Sequence, residues 1–383
     1  MIYLDYSATT PVDPRVVEAM IPYFAGSFGN PSSVHRYGQM AEAAVESARE
    51  TVASVLNCRP DEIIFTSCGS ESDNLALRGA AYAMREKNAA KWILASRAEH
   101  PAVTKTLKSL EKYEGFQAEW LEVDEYGRVT PEIVSRAICD ATAVVSVMYA
   151  NNEIGTINPL SEIAEICRAH HILFHTDAVQ AAAYLPVDVQ ALGVDMMSLG
   201  SHKFYGPKGV GVLYVRKGTP LIPHLTGGGQ EAGLRAGTQN VPYIVGFAEA
   251  LRLTNEEREQ RVAHVQPLRD KMIGTVLENI PDSRLTGDMQ SRLPHHASFA
   301  FKGVDGNLLL TLLDAAGFAC SSGSACKTGN PEPSEVMNAI GLSREWGLGS
   351  LRVTLGRESQ PEHVESFLKV LPSLVEKARS LAV

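Results

Sequence analysis

No apolar run in the sequence approaches the roughly 20 residues that a bilayer-spanning helix needs, so helical membrane insertion is not expected. Positive charge is scarce: 35 Lys and Arg stand against 44 Asp and Glu, a net charge of −9. That balance argues against general binding to a nucleic-acid backbone. The opening stretch, Met-Ile-Tyr-Leu-Asp-Tyr, lacks a basic segment followed by an apolar one, so no secretory signal is expected. Cysteines number only six, at 58, 68, 139, 167, 320 and 326, with no paired framework. Reduced thiols and a cytoplasmic setting follow as expectations. Cys320 and Cys326 are six positions apart, not a usual zinc spacing, and no metal site is expected. Internal repeats and low-complexity tracts are absent.

What remains is an ordinary globular composition, 45% apolar and 21% charged. At 383 residues the chain is too long for one ordinary core, so two domains are the default. Short apolar runs at Ile63–Thr66, Trp92–Ala95, Ala143–Met148, Ile172–His175, Val194–Leu199 and Val210–Val215 read as strands. Helical periodicity lies between them, as in the amphipathic stretch from Gly38 to Leu56. Such alternation indicates an α/β fold with a largely parallel sheet covered on both faces. The start, with its turn-forming residues up to Pro14, reads as an extended arm before a helix at Arg15–Tyr23. After about residue 255 the pattern changes. A helix from Val241 to Leu253 leads into a long charged one, Glu256–Ile280, with Pro267 expected to kink or restart it. Strands at His296–Phe301 and Ser350–Leu355, a helix at Asn307–Ala316 and a last helix from Pro361 make up a second unit.

In an open α/β sheet, ligands bind beyond the carboxyl ends of the strands. At those ends stand Gly69 with Ser70, His100, Asn152, Asp177 with Gln180, and His202 with Lys203. Lys203, after an apolar run and before Gly-Pro-Lys-Gly, can form a Schiff base if its surroundings lower its pKa. Gly69 and Ser70 open a helix, whose free N–H groups and dipole suit a phosphate; Ser70 could equally be a helix cap. Asp177 ends an apolar strand and needs a cation, such as a pyridinium nitrogen, unless it merely caps. His100 could stack on a ring and shuttle protons, or lie on the surface at a helix start. Asn152 and Gln180 offer amide hydrogen bonds. Together these describe a pyridoxal phosphate site more specifically than any one of them does.

Several stretches carry a family resemblance: Tyr3-Leu-Asp-Tyr-Ser-Ala-Thr-Thr-Pro, Phe28-Gly-Asn-Pro-Ser-Ser, Glu71-Ser-Asp-Asn74, Asn151-Asn-Glu-Ile-Gly155, His202-Lys-Phe-Tyr-Gly-Pro-Lys-Gly209, Gly227-Gly-Gly-Gln-Glu231, Arg235-Ala-Gly-Thr238 and Ser321-Ser-Gly-Ser-Ala-Cys326. Across nearly the whole chain these resemble the cysteine desulfurases of iron–sulfur cluster assembly, in the class V aminotransferase group. The resemblance implies an aspartate aminotransferase-like large domain at 15–255. It also implies a smaller α+β domain from 1–14 and 256–383, carrying a cysteine loop at about 320–333. It further implies pyridoxal 5'-phosphate as cofactor, L-cysteine as substrate, and L-alanine and an enzyme persulfide as products.

Carried over by position, the resemblance makes Lys203 the cofactor-bearing lysine, Asp177 the pyridinium partner and His100 the stacked imidazole. Gln180 and Asn152 would lie near the ring's phenolic oxygen. Gly69, Ser70 and His202 would hold the phosphate, joined by Thr238 from the other subunit of a homodimer. Arg352, which could otherwise be a structural ion-pair arginine, would take the substrate carboxylate with help from Asn30 and Asn152. Cys326 would accept the sulfur, in the family's long-loop branch, and pass it to an iron–sulfur scaffold or another acceptor protein. The sequence departs from the family where a phosphate-binding serine is usual. That position is Gly200, and Ser201, a backbone amide or water is expected to supply the missing hydrogen bond. The chain also ends soon after its last helix, where some relatives carry a longer scaffold-docking tail. A related lyase acting on selenocysteine, and a non-catalytic assembly subunit, are the alternatives.

Overall fold

The computed structural model describes residues 1–322 and 332–381, and Cys326 lies outside the described residues. Its strands are β1 (Ile2–Tyr3), β2 (Ile63–Thr66), β3 (Trp92–Ser96), β4 (Gln117–Leu121), β5 (Thr142–Ser146), β6 (Leu173–Asp177), β7 (Met196–Gly200), β8 (Gly211–Val215), β9 (Ser283–Leu285), β10 (His296–Phe301), β11 (Phe318–Ala319) and β12 (Ser350–Thr354). Seven of them form one sheet in the order β2-β8-β7-β6-β5-β3-β4. Only β8 runs against its neighbours there, so the other six point the same way.

Alternate residues of the sheet feed two cores, because successive side chains of a strand point to opposite faces. Ile64, Ile93, Ala95, Val144, Met196 and Leu213 pack with the helices Gly69–Asn88 and Pro101–Glu114. Phe65, Leu94, Val145, Phe174, Met197, Leu199 and Val212 pack on the other side, with helices that include Arg36–Leu56 and Val241–Glu256. Strands β2, β5, β7 and β8 are buried at every residue, which is why they read in the sequence as short, mostly apolar runs.

The C-terminal part holds an antiparallel sheet in the order β12-β10-β9, packed by the helices Arg258–Asn279, Gly306–Ala315 and Pro361–Leu381. The N-terminal arm ties it to the large sheet. β1 pairs with β11, Asp5 bridges to Thr354, and further on Thr10 N–H donates to His202 O and Asp13 N–H to Tyr205 O.

Several elements differ from the sequence expectation, three of them for reasons that the structure makes plain. The helix expected at Arg15–Tyr23 is two, Pro14–Met20 and Pro22–Ala25, because Pro22 starts a fresh turn. The long charged helix runs straight through Pro267, and the break lies earlier, at Glu257. Pro267 and Ala263 are both exposed, so water can satisfy the carbonyl that loses its partner. The edge strand β4 was not anticipated; its half-exposed residues, Gln-Ala-Glu-Trp-Leu, do not form an apolar run.

Candidate active site

Because the strands that carry them point the same way, the residues after β2, β3, β5, β6 and β7 meet at one edge of the sheet. They line a cavity of about 380 Å³ that contains Gly69, Ser70, His100, Asn152, Asp177, Gln180, His202, Lys203 and Arg352. Arg352 arrives from β12 of the other sheet, so the cavity lies where the two parts of the chain face each other.

Lys203 follows β7 in a single tight turn, Ser201–Lys203. Its Nζ donates to the carbonyls of Ser7 (2.6 Å) and Ala8 (2.7 Å) in the N-terminal arm. Burial, helped by the Arg352 charge, pushes the amine down to about 8. The Ser7 carbonyl also accepts from Gln180 Nε2 at 2.8 Å. His202 places Nδ1 3.2 Å from Thr9 Oγ1, and burial lowers it to about 4, so its imidazole is neutral.

Asp177 ends β6, and one of its oxygens accepts the Val179 N–H at 2.9 Å. Burial raises this carboxyl, while His100 and Lys203 pull it back toward the charged form. His100 caps the helix Pro101–Glu114, its Nδ1 accepting the Ala102 N–H at 3.1 Å. That bond leaves Nε2 as the protonated nitrogen of a neutral ring, since burial lowers the His100 pKa.

The helix Gly69–Asn88 makes its first internal bond from Ser72 N–H to Cys68 O, so the N–H groups of Gly69 and Ser70 have no intrahelical acceptor. The cap residue is Cys68, not Ser70. A Cβ on Gly69 would stand 2.7 Å from Val179 Cγ2, so only glycine fits without a shift. Across the cavity, Arg352 Nη1 donates to Asn152 O (2.9 Å) and Nη2 pairs with Asp5 (2.9 Å). Its Nε is buried without a hydrogen-bond partner among the described residues.

Three expected residues lie elsewhere. Asn30 is exposed, its side chain accepting the Ser32 N–H in its own loop. Thr238 is exposed and lines a separate cavity of about 220 Å³ with Arg235 and Gln239. Ser201 does not line the main cavity. Its hydroxyl is buried over Gly206, where an added Cβ would come within 1.9 Å of it. Of the thiols near the site, Cys320 is half-buried beside Asp5, and desolvation pushes it upward, away from a nucleophilic thiolate.

Sequence reasoning did not name Ser7, Ala8, Asp73, Met148 and Val179, which also line the cavity. Ser7 and Ala8 contribute through backbone carbonyls, which carry no side-chain signature. Asp73 stands inside the quoted stretch Glu71-Ser-Asp-Asn74, and a carboxylate one turn into a helix whose start faces a ligand was the available signal.

These residues fit pyridoxal phosphate on their own chemistry. An amine near neutrality, a buried carboxylate, a flat imidazole and free helix-start amides supply its needs, and an under-satisfied guanidinium suits a carboxylate. Comparison with known proteins agrees. Residues 2–367 match the family model described as Aminotransferase class-V. The chain is 46% identical over 381 residues to the cysteine desulfurase IscS of Methanosarcina thermophila, covering 100% of this chain and 93% of that one. Among solved structures, a NifS-like protein superposes with a TM-score of 0.91 at 38% identity, covering 98% of this chain and 99% of that one. A second, described as SspA in complex with cysteine, gives 0.80 at 34% identity, covering 93% and 99%. With its fold, its cavity and these full-length similarities in view, the chain belongs to the class V aminotransferases and, within them, to the pyridoxal phosphate-dependent cysteine desulfurases.

Proposed function

We propose that this desulfurase takes sulfur from free L-cysteine in the Lys203 cavity and transfers it to the Cys326 thiol. The observation that carries the assignment is the meeting of Lys203, Asp177, His100 and Arg352 around one space. The balance is simple. The substrate C–S bond breaks, its sulfur joins the Cys326 sulfur as a persulfide, and the freed electron pair and a proton remain on carbon to give L-alanine.

Bound pyridoxal phosphate supplies the electron sink that makes the substrate α-proton acidic and the C–S bond labile. Lys203, with its pKa pushed down to about 8, has enough neutral amine near neutral pH to take that proton at Nζ and return it. Asp177 would hold the ring nitrogen in its protonated form, and Gln180 and Asn152 would orient the ring. His100 would stack on the ring; with Nδ1 held by the Ala102 N–H, its Nε2–H can give a proton to a reacting atom and only then accept the thiol proton in its place. Gly69, Ser70 and His202 hold the phosphate. Arg352 exchanges its bonds to Asn152 O and Asp5 for the substrate carboxylate, with Asn30 assisting if its loop turns inward.

The active form is a homodimer in which Thr238 of each copy completes the phosphate site of the other; its exposed position, outside its own cavity, supports this reading. Residues 15–255 form the cofactor-binding domain, and 1–14 with 256–383 form the smaller one; the pairing of β1 with β11 supports the assignment of the arm. The setting is cytoplasmic and the persulfide passes to a scaffold or other acceptor protein. No helix of the described residues is long and apolar enough to cross a membrane.

The test is a pair of variants. Lys203→Ala should abolish both the visible absorption of the holoenzyme and alanine formation. Cys326→Ala should keep the absorption and lose the protein persulfide, and an unaltered persulfide yield would overturn the assignment. Turnover of selenocysteine with and without Cys326 separates desulfuration from the related lyase activity.

A further inference from the structure

The floor of the cavity holds a carboxyl that the chemistry above does not use. Asp73 lies one turn into the helix Gly69–Asn88, and its side chain is 2% exposed. Its Oδ1 has no hydrogen-bond partner among the described residues. One ligand atom each of Asp73, His100 and Asp177 lies within 4.8 Å of the other two. Two buried carboxyls this close cannot both be ionised unless cations offset them.

The surroundings decide which of the two keeps the charge. Asp177 faces Lys203 and His100 and accepts the Val179 N–H. The charges that act most strongly on Asp73 are those of Asp177, Glu99 and Cys68, and the imidazoles beside it, His100 and His175, are both held toward the neutral form by burial. The imidazole nearest to it belongs to His175, with Nε2 3.6 Å from Asp73 Oδ1. That ring is fully buried between two hydroxyls, Ser146 Oγ at 2.9 Å from Nδ1 and Ser198 Oγ at 3.0 Å from Nε2. Burial lowers His175 to about 3, so it brings no charge.

Strand geometry builds this row. His175 and Asp177 are two apart on β6 and share a face, Ser146 pairs with His175 from β5, and Ser198 pairs with Asp177 from β7. Ser198 also faces Asp73 and offers it a hydroxyl. A neutral Asp73 gives every group in the row a consistent role. Its O–H donates to Ser198 Oγ, the Ser198 O–H donates to His175 Nε2, and the His175 Nδ1–H donates to Ser146 Oγ.

We propose that Asp73 is a positioning residue for the cofactor: a neutral carboxylic acid, held by the Ser198–His175–Ser146 row, that leaves the single negative charge of the cluster on Asp177. A ring nitrogen beside Asp177 then meets one full carboxylate, not one charge divided between two. The proposal rests on the cofactor reading, whose own failure shows separately as the absence of a visible band in the wild-type protein.

The experiment uses holoenzyme whose aspartates carry a ¹³C carboxyl label, which separates them from Glu99 in the infrared spectrum. The expected result near neutral pH is the carbonyl stretch of a protonated aspartic acid, lost in Asp73→Asn. Because asparagine is neutral too, that variant should keep the pH midpoint of the cofactor's visible absorption. Absence of the acid band, or a midpoint displaced by about one unit as expected for removal of a real neighbouring charge, overturns the proposal. Should Asp73→Asn not fold, Ser198→Ala serves instead. Loss of the Ser198 hydroxyl must move the frequency of the same band, and an unmoved band overturns the proposal equally.

Discussion

Gly200→Ser should tighten cofactor binding, and the structure says why. Gly200 ends β7 with φ −135° and ψ 119°, an extended conformation open to any residue, so glycine is not required by the backbone. A Cβ there would meet Val179 Cγ1 at 3.4 Å and Gly69 N at 3.6 Å, ordinary contact distances. A serine hydroxyl, one bond further, can therefore reach the space beside the Gly69 amide where the phosphate is proposed to sit. A hydrogen bond to a charged group contributes about 1.5–3 kcal/mol, and the lower value corresponds to about a tenfold smaller Kd. Replacing a strand glycine also lowers the entropy lost on folding by about 0.5–1 kcal/mol, so the variant should not unfold. The assay is equilibrium dialysis of pyridoxal phosphate followed by visible absorption, with Ser201→Ala as the comparison. Ser201→Ala should leave the Kd unchanged, because that hydroxyl is buried over Gly206. A Gly200→Ser Kd within about twofold of wild type would refute the geometry argued here, since even one weak bond should exceed that.

Three further outcomes are expected. Arg352→Lys should keep the cofactor's visible band but lower kcat/KM for L-cysteine by about 100-fold, because an ammonium cannot reproduce the two-pronged bond of a guanidinium; a loss under about fivefold would count against its carboxylate role. Glu231→Gln should cost about 3 kcal/mol in denaturant unfolding, because Glu231 holds the buried Arg49 guanidinium through both its oxygens (2.9 and 3.1 Å) and also accepts the Phe65 N–H; an unchanged midpoint would refute it. Acid should destabilise the fold between pH 6.5 and about 3. His175 and His295 are buried neutral at about 3, so below their ordinary 6.5 the unfolded chain binds protons that the folded one refuses. Stability therefore falls as pH falls, by about 2 kcal/mol per histidine at pH 5. His175→Gln should flatten the acid limb of the stability curve by one proton, and an unchanged slope would sink that assignment.

Much of the fold was readable because buried parallel strands are written as short apolar runs and their helices as periodic ones. The same feature made the site readable, since Lys203, Asp177, His100 and Gly69 each follow such a run. Elements without that signature were lost. β4 lies half-exposed at the sheet edge, and no local rule says that Pro267 can remain in a helix because its neighbours face water. The setting of Ser201 was unreadable for the same reason. Moving a hydroxyl one position along a strand and into a turn changes the face it points to, and sequence proximity to a site says nothing about that direction.

By itself, then, the sequence determined the alternation of strands and helices, the residue types at the strand ends and, through its motifs, the chemistry they perform. Those properties are local, carried by periodicity and by which side chain stands where. Tertiary structure alone decided what surrounds each group. It brought Arg352 from the second sheet and the Ser7 and Ala8 carbonyls from the arm to the Lys203 side of the cavity. It also buried Asp73 beside Asp177, among acids and neutral hydroxyls. The charge on a carboxyl depends on its burial and its neighbours in space, and those exist only once the chain has packed.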